Sequence, residues 1–275
     1  MKNKFKKFIT LLSVCTISAL GFVGCTSNKD IMYSNMQDTK SREEVFSELK
    51  KHNVSDNQIN KLNEWMDDFN SYVKDGLLSN GFKKMDGNLV DYSTLELKDM
   101  PSYYVNCRLT SFMIMKNALT TNCKPDDSDT YLMLDLDAID TDKPISMTEQ
   151  EKLNYTTLFN WIPLDDAKTL EQHEEKIETA LKDRDIKIDE SKGLSIINIY
   201  VHSTFDNVRF VGHTGVLMDT NDGLLFVEKY GPDTPFQATK FHNREELKKY
   251  LLARPDLYGE KDEVAPIITE NNKVI

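Results

Sequence analysis

Glycine and proline are scarce in this 275-residue chain, at 11 and 8 residues, which excludes collagen-like and low-complexity architectures. Basic residues are outnumbered, with 34 Lys and Arg against 45 Asp and Glu and a formal net charge of −11. The long basic face of a nucleic-acid binder has no material here, so nucleic acid is excluded as a partner. No glycine-rich phosphate loop occurs, no ligand cluster has zinc spacing, and no internal repeat is visible. Neither a metal nor another cofactor is expected. Asp219-Thr220-Asn221-Asp222-Gly223 opens like a calcium loop, but Tyr230 stands where the twelfth-position Glu belongs, so it reads as a hairpin turn. Asp135, Asp137, Asp140 and Asp142 read as a solvated acidic face. Apolar residues still form 39 % of the chain, enough for a substantial core without disulfide staples.

The first 24 residues hold Lys2, Lys4, Lys6 and Lys7 and no acid, and Phe8 to Gly24 carry no charge. A positive start followed by an apolar run is the order of a secretory signal. An uncleaved membrane span is the other reading of so long an uncharged run. The run ends in Phe22-Val23-Gly24-Cys25, which resembles a bacterial lipobox, although Phe22 stands where Leu is usual. That resemblance implies a signal peptide over 1–24, a diacylglyceryl anchor on Cys25, and an extracytoplasmic site of action at the membrane. Residues 25–42 are polar and read as a flexible tether.

With Cys15 in the signal and Cys25 at the lipid site, Cys107 and Cys123 are left for the mature domain. An oxidising compartment permits a disulfide between them. Their flanks favour a different use. Cys123 sits in the polar run Thr121-Asn122-Cys123-Lys124, whereas Cys107 opens a helical pattern of Leu109, Phe112, Met113 and Leu119 after the extended run 101–106. Free N–H groups and the dipole at a helix N-terminus lower a thiol pKa, as a nucleophile requires.

Helical periodicity covers Ser41 to Leu78, Ser146 to Leu158 and Leu170 to Asp183, while Tyr131 to Ile139 fits strand or helix. After Gly193 the period becomes two, over Leu194–Thr204, Val208–Met218, Leu224–Lys229 and Phe236–Phe241, before a short helix at Arg244–Ala253. Helices first and an antiparallel sheet last make an α+β fold, with one domain over 43–260 and a tail over 261–275.

A thiol nucleophile needs a base and a group to orient that base. His52 and His173 lie in charged stretches and read as surface residues, His242 starts a helix, and His202 reads as a sheet residue. His213 lies in Phe210-Val211-Gly212-His213-Thr214-Gly215-Val216-Leu217, where two glycines permit close approach by backbone or substrate. If Asn221-Asp222 is a two-residue hairpin, the register sets Glu228 diagonal to His213 on one sheet face. A purely structural buried pair is the competing reading.

Cys at a helix start, His in a His-x-Gly-Val-Leu strand and a polar residue on the next strand resemble the papain-like superfamily, closest to NlpC-type cell-wall peptidases and amidases. The set Asn106-Cys107-Arg108, His213 to Leu217, Phe226 to Lys229 and Pro235 to Phe241 is similar to an uncharacterised lipoprotein family of Gram-positive bacteria, a domain of unknown function, over roughly Phe46 to Leu252. The resemblance implies a papain-like fold and an envelope thiol hydrolase acting on a cell-wall peptide or protein substrate. Cys107 would be its nucleophile, His213 its base and Glu228 the orienting group. Pro101 stands where papain has its oxyanion Gln, which turns attention to Tyr104, Tyr103 and Asn106 as donors beside the Cys107 backbone N–H. A non-catalytic lipoprotein that binds a peptide or partner through the same fold is the alternative.

Overall fold

Side-chain caps define where most of the helices begin. The computed structural model describes residues 30–100, 105–141, 145–259 and 261–275. Asp38 caps α1 (Thr39–Lys51), and Ser55 with Gln58 forms a capping box on α2 (Asp56–Tyr72). Asn106 caps α3 (Cys107–Met115), followed by α4 (Met133–Thr141). Thr148 with Glu151 and Thr169 with Gln172 box α5 (Glu149–Phe159) and α6 (Leu170–Asp183), and Asn243 caps α7 (Arg244–Leu252). The ambiguous run Tyr131 to Ile139 is thus a helical turn leading into α4.

The strands are β1 (Met32–Ser34), β2 (Lys83–Lys84), β3 (Leu119–Thr120), β4 (Ile162–Pro163), β5 (Lys187–Ile188), β6 (Leu194–Ser203), β7 (Val208–Thr220), β8 (Gly223–Gly231), β9 (Thr234–Phe241), β10 (Ile267–Glu270) and β11 (Lys273–Val274). One sheet runs in the order β11-β10-β6-β7-β8-β9-β1-β2 with β4 also on β7, and β3 pairs β5 separately. Every described pairing is antiparallel, and the fold is α+β.

Alternation along the strands serves two cores. Val216, Met218, Leu225 and Val227 belong with Leu109, Phe112 and Met113 of α3 and Trp65 and Phe69 of α2. Leu217, Leu224 and Phe226 face the other way, with Leu247, Tyr250 and Leu251 of α7. The central sheet is therefore covered on both faces.

Two sequence boundaries need correction. The expected tether over 25–42 is structured from Met32, because β1 pairs with both β9 and β2 and α1 begins at Thr39. The expected tail over 261–275 supplies β10 and β11, which pair Ile267 with Tyr200 and Thr269 with Val274. Both segments are short, and both are held by partners distant in sequence.

Candidate active site

Cys107 is the first residue of α3 and only 7 % exposed. Asn106 Oδ1 accepts from the Leu109 N–H at 3.0 Å, closing the first turn. The next residue, Arg108, ties this helix start to the strand that carries His213: Nη1 donates to Val211 O at 2.9 Å, and Nε donates to Asp135 at 2.5 Å. Asp135 also accepts from Tyr155 Oη at 2.5 Å and from Asn106 Nδ2. Asp135 is therefore buried, at 2 % exposure, and is not part of a solvated face. Its burial satisfies an ion pair beside the thiol.

His213 is set by a bulge. Ile199 pairs with His213 but Tyr200 pairs with Val211, leaving Gly212 as the extra residue immediately before the imidazole. The turn at Asn221-Asp222 pairs Thr220 with Gly223, and the β7–β8 ladder runs to Val216 opposite Val227. Just beyond its end, His213 Nε2 meets Glu228 Oε2 at 2.5 Å. The glycines in this strand serve packing: a Cβ on Gly215 would lie 2.2 Å from the Phe226 ring, and one on Gly212 would lie 2.9 Å from Val201 methyls. The close approach they permit is by neighbouring side chains.

Glu228 is wholly buried and carries more partners than the imidazole alone. Tyr250 Oη donates to it at 2.5 Å, Gln237 Nε2 at 3.4 Å, and Arg254 Nη1 stands 3.4 Å from both Glu228 Oε2 and His213 Nε2. The Cys107 thiol and the His213 imidazole lie close enough to influence each other's ionisation. With Nε2 committed to Glu228, Nδ1 is the nitrogen left for the thiol.

The electrostatics of the pair run in opposite directions. Burial pushes the Cys107 thiol up, but the hydrogen bond and charge of His213, with Arg108, bring it below the ordinary thiol value. For His213, burial and the Arg254 charge push down, while hydrogen bonds to Cys107 and Glu228 and the Glu228 charge leave the imidazole above its ordinary value. A lowered thiol against a raised imidazole favours thiolate and imidazolium together.

Other expected residues fall elsewhere. Asn106 is a helix cap with an Nδ2 hydrogen given to Asp135, while Tyr103, Tyr104 and Pro101 lie outside the described residues, as do Asp142 and Cys25. Cys123 is a free thiol whose Sγ lies 3.2 Å from Asn154 Oδ1, and Cys107 is free too. His173 is fully buried rather than exposed, accepting from Arg209 Nε at 3.0 Å, and burial with the Arg209 charge lowers it to about 4. His52 bonds Lys192 O and Asp219 O through its ring, and His202 Nδ1 accepts from Val264 N at 3.0 Å.

The sequence assigns Arg108 no role beyond the set it shares with Cys107 and presents Asp135 as solvated, while Tyr250 and Arg254 carry no local signal. A cavity of about 540 Å³ adjoins the site, lined by Tyr92, Tyr230, Pro232, Asp233, Arg254 and Asp256. Arg254 is the wall it shares with His213 and Glu228. Among the described residues no group of His, Cys, Asp and Glu is placed to hold a metal ion, and no helix is long and apolar enough to cross a membrane.

Comparison with curated proteins and with solved structures yields no match. Residues 32–275 match one family, described as Domain of unknown function (DUF4300), whose span takes in β1 at one end and β11 at the other, and the chain belongs to that family.

Proposed function

We propose that the protein is a thiol hydrolase, a peptidase or amidase, that cleaves an amide at the cell envelope while anchored by lipid on Cys25. The observation that carries this reading is Cys107 at a helix N-terminus beside His213, whose Nε2 meets Glu228. The Cys107 thiolate attacks the amide carbonyl carbon, and the C–N bond breaks as His213 passes its proton to the leaving nitrogen. Water then gives a proton to His213 and attacks the thioester, and the C–S bond breaks to restore the thiolate. Throughout, Glu228 holds Nε2 and fixes which nitrogen faces the sulfur. The Cys107 backbone N–H, at the positive end of α3, supports the oxyanion.

The resemblance to NlpC-type enzymes supports cell-wall stem peptides as substrate, and the lipobox-like run supports the envelope as location. Incubation with such peptides is expected to give cleaved products with the wild-type protein and none with Cys107→Ala. The 7 % exposure of Cys107 favours a second reading, a non-catalytic lipoprotein that binds a peptide or partner. Equal retention of intact peptide by wild type and Cys107→Ala, with no product from either, would establish that reading instead.

A further inference from the structure

Glu228 is a full carboxylate buried against an imidazole, and that arrangement has a cost for a base that must release its proton. A lone buried carboxylate in contact with a histidine shifts its titration upward by about 1 to 3 units. An imidazolium held that firmly is a poor donor to a leaving nitrogen. Arg254 sits where it can correct this. It is 2 % exposed, with Nη1 3.4 Å from Glu228 Oε2 and equally far from His213 Nε2.

Those distances are long for hydrogen bonds. Arg254 Nε is buried without a hydrogen-bond partner among the described residues. The guanidinium is held instead from outside, by Tyr230 O and Asp256 Oδ2, each 2.8 Å from Nη2, and by the Tyr230 ring 4.0 Å away. A cation fastened at its far end and only loosely bonded at its near end acts on the site through charge.

We propose that Arg254 is a positioning residue whose positive charge offsets Glu228, so that His213 is oriented by a carboxylate without being locked as imidazolium. This rests on the reading of His213 as the base of a thiol hydrolase. Among the described residues, the charged and titratable groups that act on His213 are Cys107 from α3, Glu228 from β8 and Arg254 after α7; Arg108 from α3 and Asp135 from α4 act on Cys107, and Tyr250 from α7 on Glu228. Beyond these, Lys229 interacts with Cys107, Tyr92 and Tyr230 interact with Glu228, and Asp256 faces outward against Arg254. Among the described residues, Arg254 is the cation in contact with both Glu228 and the imidazole.

The test is an NMR titration of the His213 ring in the full domain, for wild type, Arg254→Met and the double variant Glu228→Gln with Arg254→Met. Arg254→Met is expected to raise the midpoint by about 1 to 3 units, and the double variant to bring it back toward wild type. An unmoved midpoint in folded Arg254→Met, or a double variant no closer to wild type, overturns the proposal. If Arg254→Met alone does not fold, the proposal requires that the double variant fold and titrate near wild type, since both buried charges are then gone. A double variant that also fails to fold overturns it, because shape rather than charge then decides. Alkylation of wild-type Cys107 by iodoacetamide over the same pH range tests the catalytic reading separately: an ordinary thiol profile defeats that reading, while the His213 midpoint still decides the role of Arg254.

Discussion

At the scale of single residues, the site is a chain of buried charges in which each depends on the next. Glu228→Gln keeps the shape of the side chain but removes the buried carboxylate that faces Arg254 Nη1, leaving the cation only the half-exposed Asp256 at its far end. Removing one partner of such a pair costs about 3–5 kcal/mol. Denaturant unfolding is therefore expected to show a large loss of stability in Glu228→Gln and partial recovery when Arg254→Met is added. The pH signs follow from the two shifts. His213, raised, contributes stability that is full below the ordinary imidazole value and is lost as pH climbs through its raised value; Cys107, lowered, contributes stability that is full above the ordinary thiol value and is lost as pH falls through its lowered value. If the protein is the proposed hydrolase, turnover should fade as pH falls through the lowered thiol value. His173 behaves in the opposite sense to His213. Held near 4, below the ordinary imidazole value of 6.5, it stays neutral while the unfolded chain takes up a proton, so stability should fall as pH drops through that window. Subtracting the pH dependence of His173→Gln from that of wild type isolates the effect, and a zero difference would contradict it.

At the scale of elements, the strand carrying His213 is tuned by glycine. Gly215→Ala would drive a methyl into the Phe226 ring, and overpacking of this kind costs about 1–3 kcal/mol, checked by a lowered melting temperature. Asn106→Ala removes the cap of α3 and a bond to Asp135, so it should cost about 1–2 kcal/mol and raise the pH at which Cys107 ionises. A variant with an unchanged thiol profile would show that the helix start does not set the ionisation of Cys107. The helix α6, the hairpin at Asn221-Asp222 and the nearness of Glu228 to His213 were legible because periodicity and turn chemistry are local. Tyr250 and Arg254 were not, since they reach Glu228 only when α7 packs across the sheet, 22 and 26 residues further on. Burial of His173 was hidden likewise, because Arg209 and His202 meet it from β7 and β6.

At the scale of the whole molecule, short terminal strands complete the sheet. Periodicity cannot announce a strand of two to four residues, and β1 and β10 take their order from β9 and β6. Deleting 261–275 exposes the β6 edge, including Ile197 and Ile199, so the truncated protein is expected to aggregate. Native-like melting of that truncation would contradict the role given to β10. If Cys25 carries the proposed lipid, Cys25→Ala should move the protein from the membrane fraction to the soluble fraction with its melting temperature intact. The central claim is that Cys107 is a thiolate paired with His213. It is tested most directly by the pH profile of Cys107 alkylation with iodoacetamide, in a Cys123→Ser background and read by intact mass. An ordinary thiol such as N-acetylcysteine gains roughly tenfold in rate per pH unit below its pKa. The account predicts a nearly flat profile for Cys107 from about pH 6 to 8 that reverts to the ordinary slope in His213→Ala. A tenfold rise per unit in the wild-type protein, unchanged by His213→Ala, would contradict it.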